Sequence, residues 1–320
     1  MPVRDSDAKT VVVVNGMVAP LLAGRLPDWV DLRPFASTEQ LHELAPLAEI
    51  GWFDLYKVAA MGEAIRAATR LRWLNSIYAG VDAFPLDVLE QRGVVLTNGT
   101  GINAITIAEY VVMGLLTMAK GYAEVVRAQD RQDWLIESPG KRELHGSRAL
   151  ILGAGEIGGR VARLLQAFEV EVTTVRRRPA PGAIGPDAWR ARLGEFDWVV
   201  LAVPATPDTQ GLFDASAIAA MKPGAALVNV ARGSVVDQDA LIAALNAGRL
   251  GGAFLDVCTP EPLPPGHPLW TTPGAQLSMH LSGRAQDAMF ARAVDRFITN
   301  LDRWHRGEPV TPAVDLVAGY

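Results

Sequence analysis

Cysteine is almost missing from this chain. Cys258 stands alone, so no internal disulfide can form, and the stretch Met1–Asp7 has no secretory character; together these predict a protein of the reducing cytoplasm. Long apolar runs are scarce as well. The longest, Val111–Ala119, closely follows Glu109 and is far shorter than the ~20 residues that span a bilayer, so no membrane partner is predicted. No basic tail or stripe is present, and a net charge of −5 with 20% charged residues excludes a nucleic-acid-coating or disordered chain. The five histidines and one cysteine include no pair at ligand spacing, which predicts no metal site. Internal repeats and low-complexity segments are absent too.

What remains is 49% hydrophobic and 320 residues long, more than one ordinary core accommodates, and therefore predicts two domains. The first hundred residues read as a small α/β unit, with a β-branched run at Val11–Val14, apolar segments at Ala48–Phe53 and Arg72–Ile77, and helical character at Met61–Arg70. A proline-free segment, Ile105–Arg131, predicts one long helix that bridges domains or packs on a partner subunit, which suits a homodimer. From Arg148 onward strand-like runs recur regularly, at Ala149–Leu152, Val170–Val175, Trp198–Val203, Ala225–Val230, Ala253–Val257 and Gln276–Met279. These runs lack polar alternation, so both faces are expected to be covered, as in a parallel doubly wound sheet. Pro179–Pro186 and Pro260–Pro268 read as loops, and Ala285–Arg306 as a last helix returning to the first domain. The predicted architecture is α/β: a Rossmann domain, 102–285, inserted into a smaller flavodoxin-like domain made of 1–101 and 286–320.

Gly153, Gly155 and Gly158 form G-x-G-x-x-G directly after one strand-like run and, with Glu156 and Ile157, open a helical one. The first glycine permits the tight turn, the second lets backbone approach a pyrophosphate, and the third lets helix and strand pack closely, so the pattern predicts dinucleotide binding. Where the next strand ends, NAD sites normally place a carboxylate against the ribose; here stand Arg176, Arg177 and Arg178. Guanidinium groups offer a 2′-phosphate both charge and a planar donor fork, so NADP is predicted in preference to NAD.

Ligands of an open parallel sheet bind beyond the carboxyl ends of its strands, and three polar residues follow apolar runs there: Arg232, Glu261 and His280. An arginine fork can hold a carboxylate and polarise a carbonyl, while a histidine beside a carboxylate favours its imidazolium form and can donate a proton. That set fits carbonyl reduction. The other histidines, His42, His145, His267 and His305, lie in polar or loop surroundings and are expected to be solvated.

The chain resembles the D-isomer-specific 2-hydroxyacid dehydrogenase family. The resemblance is carried in order by Gly153–Gly158, by Val228-Asn-Val-Ala-Arg-Gly-Ser-Val-Val-Asp237, by Leu255-Asp-Val-Cys-Thr-Pro-Glu-Pro-Leu-Pro264 and by His280-Leu-Ser-Gly283. Fainter matches at Ala79-Gly-Val-Asp82, Thr97-Asn98, Asn103–Glu109 and Pro204-Ala-Thr206 with Thr209 extend it over nearly the whole chain. The resemblance implies that Arg232 anchors the carboxylate and oxo group of a 2-oxo acid, that His280 is the proton donor in reduction, and that Glu261 pairs with His280. It further implies nucleotide contacts from Thr106, Val203, Pro204, Thr209, Val230, Ala231, Asp256, Ser282 and Gly283, with Asp256 near the nicotinamide carboxamide. Substrate contacts would come from Tyr78, Ala79 and Gly80, in a cleft that closes between domains; Trp52 and Tyr56 are further candidates for its lining. Two departures bear on loop geometry: Met279 stands where the family often has proline, and Ser282 where alanine is frequent. Glu261 argues against the formate-oxidising branch, which carries glutamine there. Glyoxylate or hydroxypyruvate, reduced to a D-2-hydroxy acid, is the preferred substrate. Phosphite oxidation would use the same residues, and a nucleotide-sensing corepressor-like binding protein is the alternative outside catalysis.

Overall fold

The structure is a computed structural model that describes residues 9–55, 57–177, 180 and 182–319; Met1–Asp7, Tyr56, Arg178 and, of the stretch Pro179–Pro186, Pro179 and Pro181 lie outside the described residues. The chain divides into two compact units, one of residues 1–103 with 286–320 and the other of residues 104–285.

In the first unit, strands β1 (Thr10–Asn15), β2 (Val30–Phe35), β3 (Ile50–Trp52), β4 (Trp73–Asn75) and β5 (Val95–Thr97) form a parallel sheet in the order β2-β1-β3-β4-β5, the flavodoxin-like order. Successive valines of β1 serve opposite faces: Val11 and Val13 pack with Phe53, Met61 and Leu96, while Val12 and Val14 pack with Trp52, Trp73 and Phe297. Phe297, Val294 and Leu301 come from the helix Met289–His305, which covers that second face. Strand β2 carries Pro34, which has no ladder N–H, and lies at the sheet edge where its loss is tolerated.

In the second unit, β6 (Arg148–Leu152), β7 (Glu171–Val175), β8 (Ala183–Ile184), β9 (Trp198–Leu201), β10 (Ala226–Asn229), β11 (Gly252–Leu255) and β12 (Ala275–Leu277) form a parallel sheet ordered β12-β11-β10-β9-β6-β7-β8. Strand order reverses between β6 and β9, which opens a crevice beyond their carboxyl ends. Leu150 and Leu152 face one apolar layer, Ala149 and Ile151 the other, so the sheet is covered twice and the α/β doubly wound expectation holds.

Two readings are corrected. The expected single helix over Ile105–Arg131 is two helices, Ala104–Lys120 and Tyr122–Asp130, bent by 73°. The break is Gly121, at φ +61°, where a Cβ would come within 2.8 Å of the Gly140 backbone. The first helix packs on its own sheet through Ala108, Val111 and Leu115, with Gly114 against the Phe254 ring. Its apolarity therefore serves the unit's core. Among the described residues no single helix is long and apolar enough to cross a membrane. The loop expected over Pro179–Pro186 contains the short edge strand β8, paired with Thr174 and Val175 of β7.

Candidate active site

The glycine turn after β6 separates three physical demands. Gly153 sits at φ +94°, and a Cβ there would lie 2.5 Å from the Ala202 carbonyl oxygen. A Cβ on Gly158 would lie 1.9 Å from the Gly153 carbonyl oxygen, so this residue lets the helix Glu156–Ala167 meet β6. Around Gly155, by contrast, a Cβ would meet no atom within 4 Å. The first and third glycines serve the fold, and the second leaves room at a helix N-terminus, as a dinucleotide pyrophosphate requires. The residues present fit that group.

Beyond β9, Val203 and Pro204 lead into a turn closed by Thr209, whose Oγ1 donates to the Pro204 carbonyl at 2.7 Å and accepts the Thr206 N–H at 2.8 Å. Thr106 is buried and its hydroxyl donates to the Ala285 carbonyl at 3.0 Å. These two hydroxyls tie down loops of the second unit. Arg176 and Arg177 follow β7 directly and are exposed; the Arg176 N–H donates to Ile184 O at 3.1 Å, which seats the pair beside β8.

At the ends of β10, β11 and β12 the structure brings Arg232, Glu261 and His280 together. Asn229 ends β10 and fixes the next turn: its Oδ1 accepts the Ala231 N–H at 3.0 Å and its Nδ2 donates to the Arg232 carbonyl at 2.9 Å. Val230 and Ala231 are buried there, leaving half-buried Arg232 as the turn's charged group. Gly233 permits the turn to touch the following loop, since a Cβ would lie 2.1 Å from Cys258 O. From that loop Glu261 accepts the Cys258 N–H at 3.0 Å through Oε1 and faces His280 Nδ1 at 2.7 Å through Oε2. Burial by itself pushes the Glu261 carboxyl up. The His280 and Cys258 hydrogen bonds and the charges of His280 and Arg232 outweigh it and hold the group below the ordinary carboxylate range. The side chains of His280 and Glu261 remain 42% and 34% exposed, and His280 Nε2 has no partner among the described residues.

Asp256 aims the histidine. It is buried; its Oδ1 accepts from Ser278 Oγ at 2.7 Å and from the Ser282 N–H at 3.1 Å, and its Oδ2 accepts from Ser282 Oγ. Its carbonyl oxygen accepts the His280 N–H at 2.6 Å. Ser282 thus closes the loop onto Asp256 with a bond that alanine could not make, and Gly283 follows it. Met279 and His280 both lie at positive φ, +52° and +55°, a conformation the proline ring forbids at 279.

In the first unit, Tyr78 O accepts the Gly99 N–H and Ala79 O accepts from Asn98 Nδ2, both at 2.8 Å, which pins the loop through Gly80. Among the described residues the N–H groups of Ala79 and Gly80 have no partner within the chain. Trp52 is 1% exposed and belongs to the core. His267 and His305 are less free than expected: His267 Nδ1 accepts the Leu269 N–H at 3.2 Å, and His305 stacks on Trp29 at 4.7 Å. Sequence reasoning passed over Asn229, Ser278 and Asp54, although Asp54 is a polar residue just beyond an apolar run, the signal that singled out Arg232, Glu261 and His280.

A family model described as the NAD binding domain of D-isomer specific 2-hydroxyacid dehydrogenase matches residues 112–282, more than half of the chain. The chain belongs to the D-isomer specific 2-hydroxyacid dehydrogenase family. It is 32% identical over 264 residues to a glyoxylate reductase/hydroxypyruvate reductase of Mus musculus, covering 78% of this chain and 79% of the relative. A crystal structure of a family protein from Aeromonas salmonicida subsp. salmonicida superposes with a TM-score of 0.85 at 30% identity, covering 96% of this chain and 99% of that one. Another, from Xanthobacter autotrophicus in complex with NADPH and MES, has a TM-score of 0.77 at 27% identity, covering 98% and 100%. The dehydrogenase is an NAD(P)-dependent oxidoreductase acting on 2-hydroxy and 2-oxo acids.

Proposed function

We propose that this dehydrogenase uses NADPH to reduce a small 2-oxo acid, glyoxylate or hydroxypyruvate, to the D-2-hydroxy acid. The observation that carries the reading is the 2.7 Å pairing of His280 Nδ1 with Glu261 beside the charge of Arg232. Bound NADPH supplies the hydride. Gly153, Gly155, Gly158 and the helix starting at Glu156 hold the phosphates, with Val203, Pro204, Thr209, Val230, Ala231, Asp256 and Gly283 around the rest of the nucleotide. His280 donates its Nε2 proton to the developing alkoxide, and Glu261 stabilises the imidazolium that carries that proton. Arg232 forks onto the carboxylate and oxo oxygen, and the Ala79 and Gly80 N–H groups take the carboxylate from the loop that begins at Tyr78. The likeness to the mouse glyoxylate reductase/hydroxypyruvate reductase and the NADPH in the Xanthobacter structure support the same choice.

Arg176 and Arg177 carry the cofactor preference, because no acidic residue stands at the end of β7 to repel a 2′-phosphate. Steady-state kinetics with glyoxylate, hydroxypyruvate and bulkier or phosphorylated 2-oxo acids, each with NADPH and NADH, test the whole reading. NADPH-favouring reduction of the two small acids is expected. Activity confined to bulky acids, or efficiency that is equal with NADH, overturns it. The same assay with phosphite and NADP excludes or establishes the oxidation that would use the same residues.

A homodimer in the cytoplasm completes the proposal. Trp134 and Ile136 are 88% and 89% exposed and line a groove with Val125, Ala128 and Leu135, an exposed apolar patch of the kind a two-fold interface buries on both copies. Light scattering should give twice the chain mass for the wild type and the single mass for Trp134→Ala/Ile136→Ala.

A further inference from the structure

Asp54 lies just beyond β3 and is held entirely by groups of the first unit. Its Oδ2 accepts from Trp52 Nε1 at 2.8 Å and from the Ile77 N–H at 2.6 Å, and its Oδ1 accepts from Ser76 Oγ at 2.7 Å. Ser76 Oγ in turn accepts the Tyr78 N–H at 3.0 Å. The Asp54 carbonyl accepts from Asn15 Nδ2 at 2.9 Å, so the ends of β1, β3 and β4 meet at this one residue. The groups that face the carboxyl are an indole, a hydroxyl and a backbone amide, all neutral; among the described residues no charged side chain contributes to its ionisation. A carboxylate fits three donors because both of its oxygens only accept. Enclosure by protein nonetheless pushes the group up to about 6, against the pull of the Ile77, Ser76 and Trp52 hydrogen bonds.

We infer that Asp54 is a positioning residue for the substrate: its carboxylate clamps Ser76 and Ile77, and through them orients the Ala79 and Gly80 N–H groups. The inference rests on the reading that this loop takes the substrate carboxylate. Protonation takes the negative charge off Asp54, so its bonds from Trp52, Ile77 and Ser76 change from charge-assisted to neutral and the loop is held less firmly. Reduction of the 2-oxo acid should therefore weaken below pH about 6, while nucleotide affinity stays flat. Glu261, held below the ordinary carboxylate range, does not titrate in this window.

The test is the pH profile of glyoxylate reduction with NADPH for the wild type and for Asp54→Asn, Ser76→Ala and Arg232→Ala, with NADPH affinity measured by fluorescence on each. In the wild type kcat/KM for glyoxylate should fall about tenfold in all as pH drops through about 6 and then level off. In Asp54→Asn the KM at neutral pH should rise about tenfold or more, with kcat and NADPH affinity near wild type and no acid limb at that pH. Ser76→Ala removes one donor from the carboxylate and should move the limb upward by about one pH unit; it decides the matter if Asp54→Asn does not fold. Wild-type KM and an unmoved limb in folded Asp54→Asn, or an unmoved limb in Ser76→Ala, overturns the inference. If Arg232→Ala loses substrate affinity in that case, the substrate reading survives alone. A wild type that reduces no 2-oxo acid removes the reading and the inference with it.

Discussion

Glu261→Gln isolates the contribution of the carboxylate to proton donation. The amide keeps the shape, and its Oε1 can still accept the Cys258 N–H now held at 3.0 Å, so the loop should stay in place. What changes is the 2.7 Å contact to His280 Nδ1. An amide NH2 turned toward Nδ1 cannot accept a proton from imidazolium, so the donor form loses its partner. A charge-assisted hydrogen bond is worth about 1.5–3 kcal/mol, and exposures of 42% and 34% place this one toward the lower end. At about 1.4 kcal/mol per factor of ten, the expected loss in kcat/KM for 2-oxo acid reduction is about 10- to 100-fold. NADPH affinity and thermal stability should stay near wild type. Because Glu261 is held below the ordinary carboxylate range, its pairing is present above that range and is lost only as pH falls through the lowered value. Glu261 therefore stays ionised in the wild type between pH about 5 and 7, and the loss is read there. Stopped-flow reduction of glyoxylate across that range measures it, and a loss of less than about threefold would refute the assignment of Glu261 as the partner of the proton donor.

Other outcomes follow from the same geometry. Ser282→Ala removes a buried bond to Asp256 and should lower unfolding free energy in urea by about 1–3 kcal/mol, with a lower kcat and unchanged NADPH affinity. Gly155→Ala should fold with an unchanged Tm and bind NADPH poorly, because its Cβ meets no protein atom and would enter the space given to the pyrophosphate. Gly158→Ala should lose about 3 kcal/mol or more of stability, because its Cβ meets Gly153 O at 1.9 Å; equal behaviour of the two variants in calorimetry and binding would contradict this division of roles. Asp54 is raised above its unfolded value, so its stabilising contribution is complete below about 4 and lost as pH rises through about 6. Relative to Asp54→Asn, the wild type should lose at most ~3 kcal/mol across that interval in denaturant titrations.

The parts most legible from residues alone were those with one dominant cause. Uninterrupted β-branched and leucine runs announced β1, β6 and β9 because a strand covered on both faces needs no polar alternation. Gly153, Gly155 and Gly158 were readable because their spacing between strand and helix has few other uses. The break at Gly121 was hidden because its cause is the backbone of Gly140, nineteen residues away, and no local pattern signals such an approach. Strand β2 was missed because Asp31, Arg33 and Pro34 are tolerable only at an edge, a fact of sheet order and not of composition. Asp256 was found through family likeness as a nucleotide neighbour. What the residues alone did not show is that both of its carboxylate oxygens are engaged by Ser278 and Ser282. Departures from a family pattern can thus compensate one another: the serine at 282 ties down a loop that has no proline at 279.

The two consecutive left-handed residues, Met279 and His280, make the proposed proton donor a loaded element. Each non-glycine residue in that region costs of order 1–3 kcal/mol, and the Asp256 contacts to Ser278, His280 and Ser282 hold the pair against that cost. Relief of the tension and accuracy of aim are then opposed. A glycine in place of Met279 should raise the melting temperature and slow the chemistry, so thermal selection and selection for turnover would pull this one position in opposite directions.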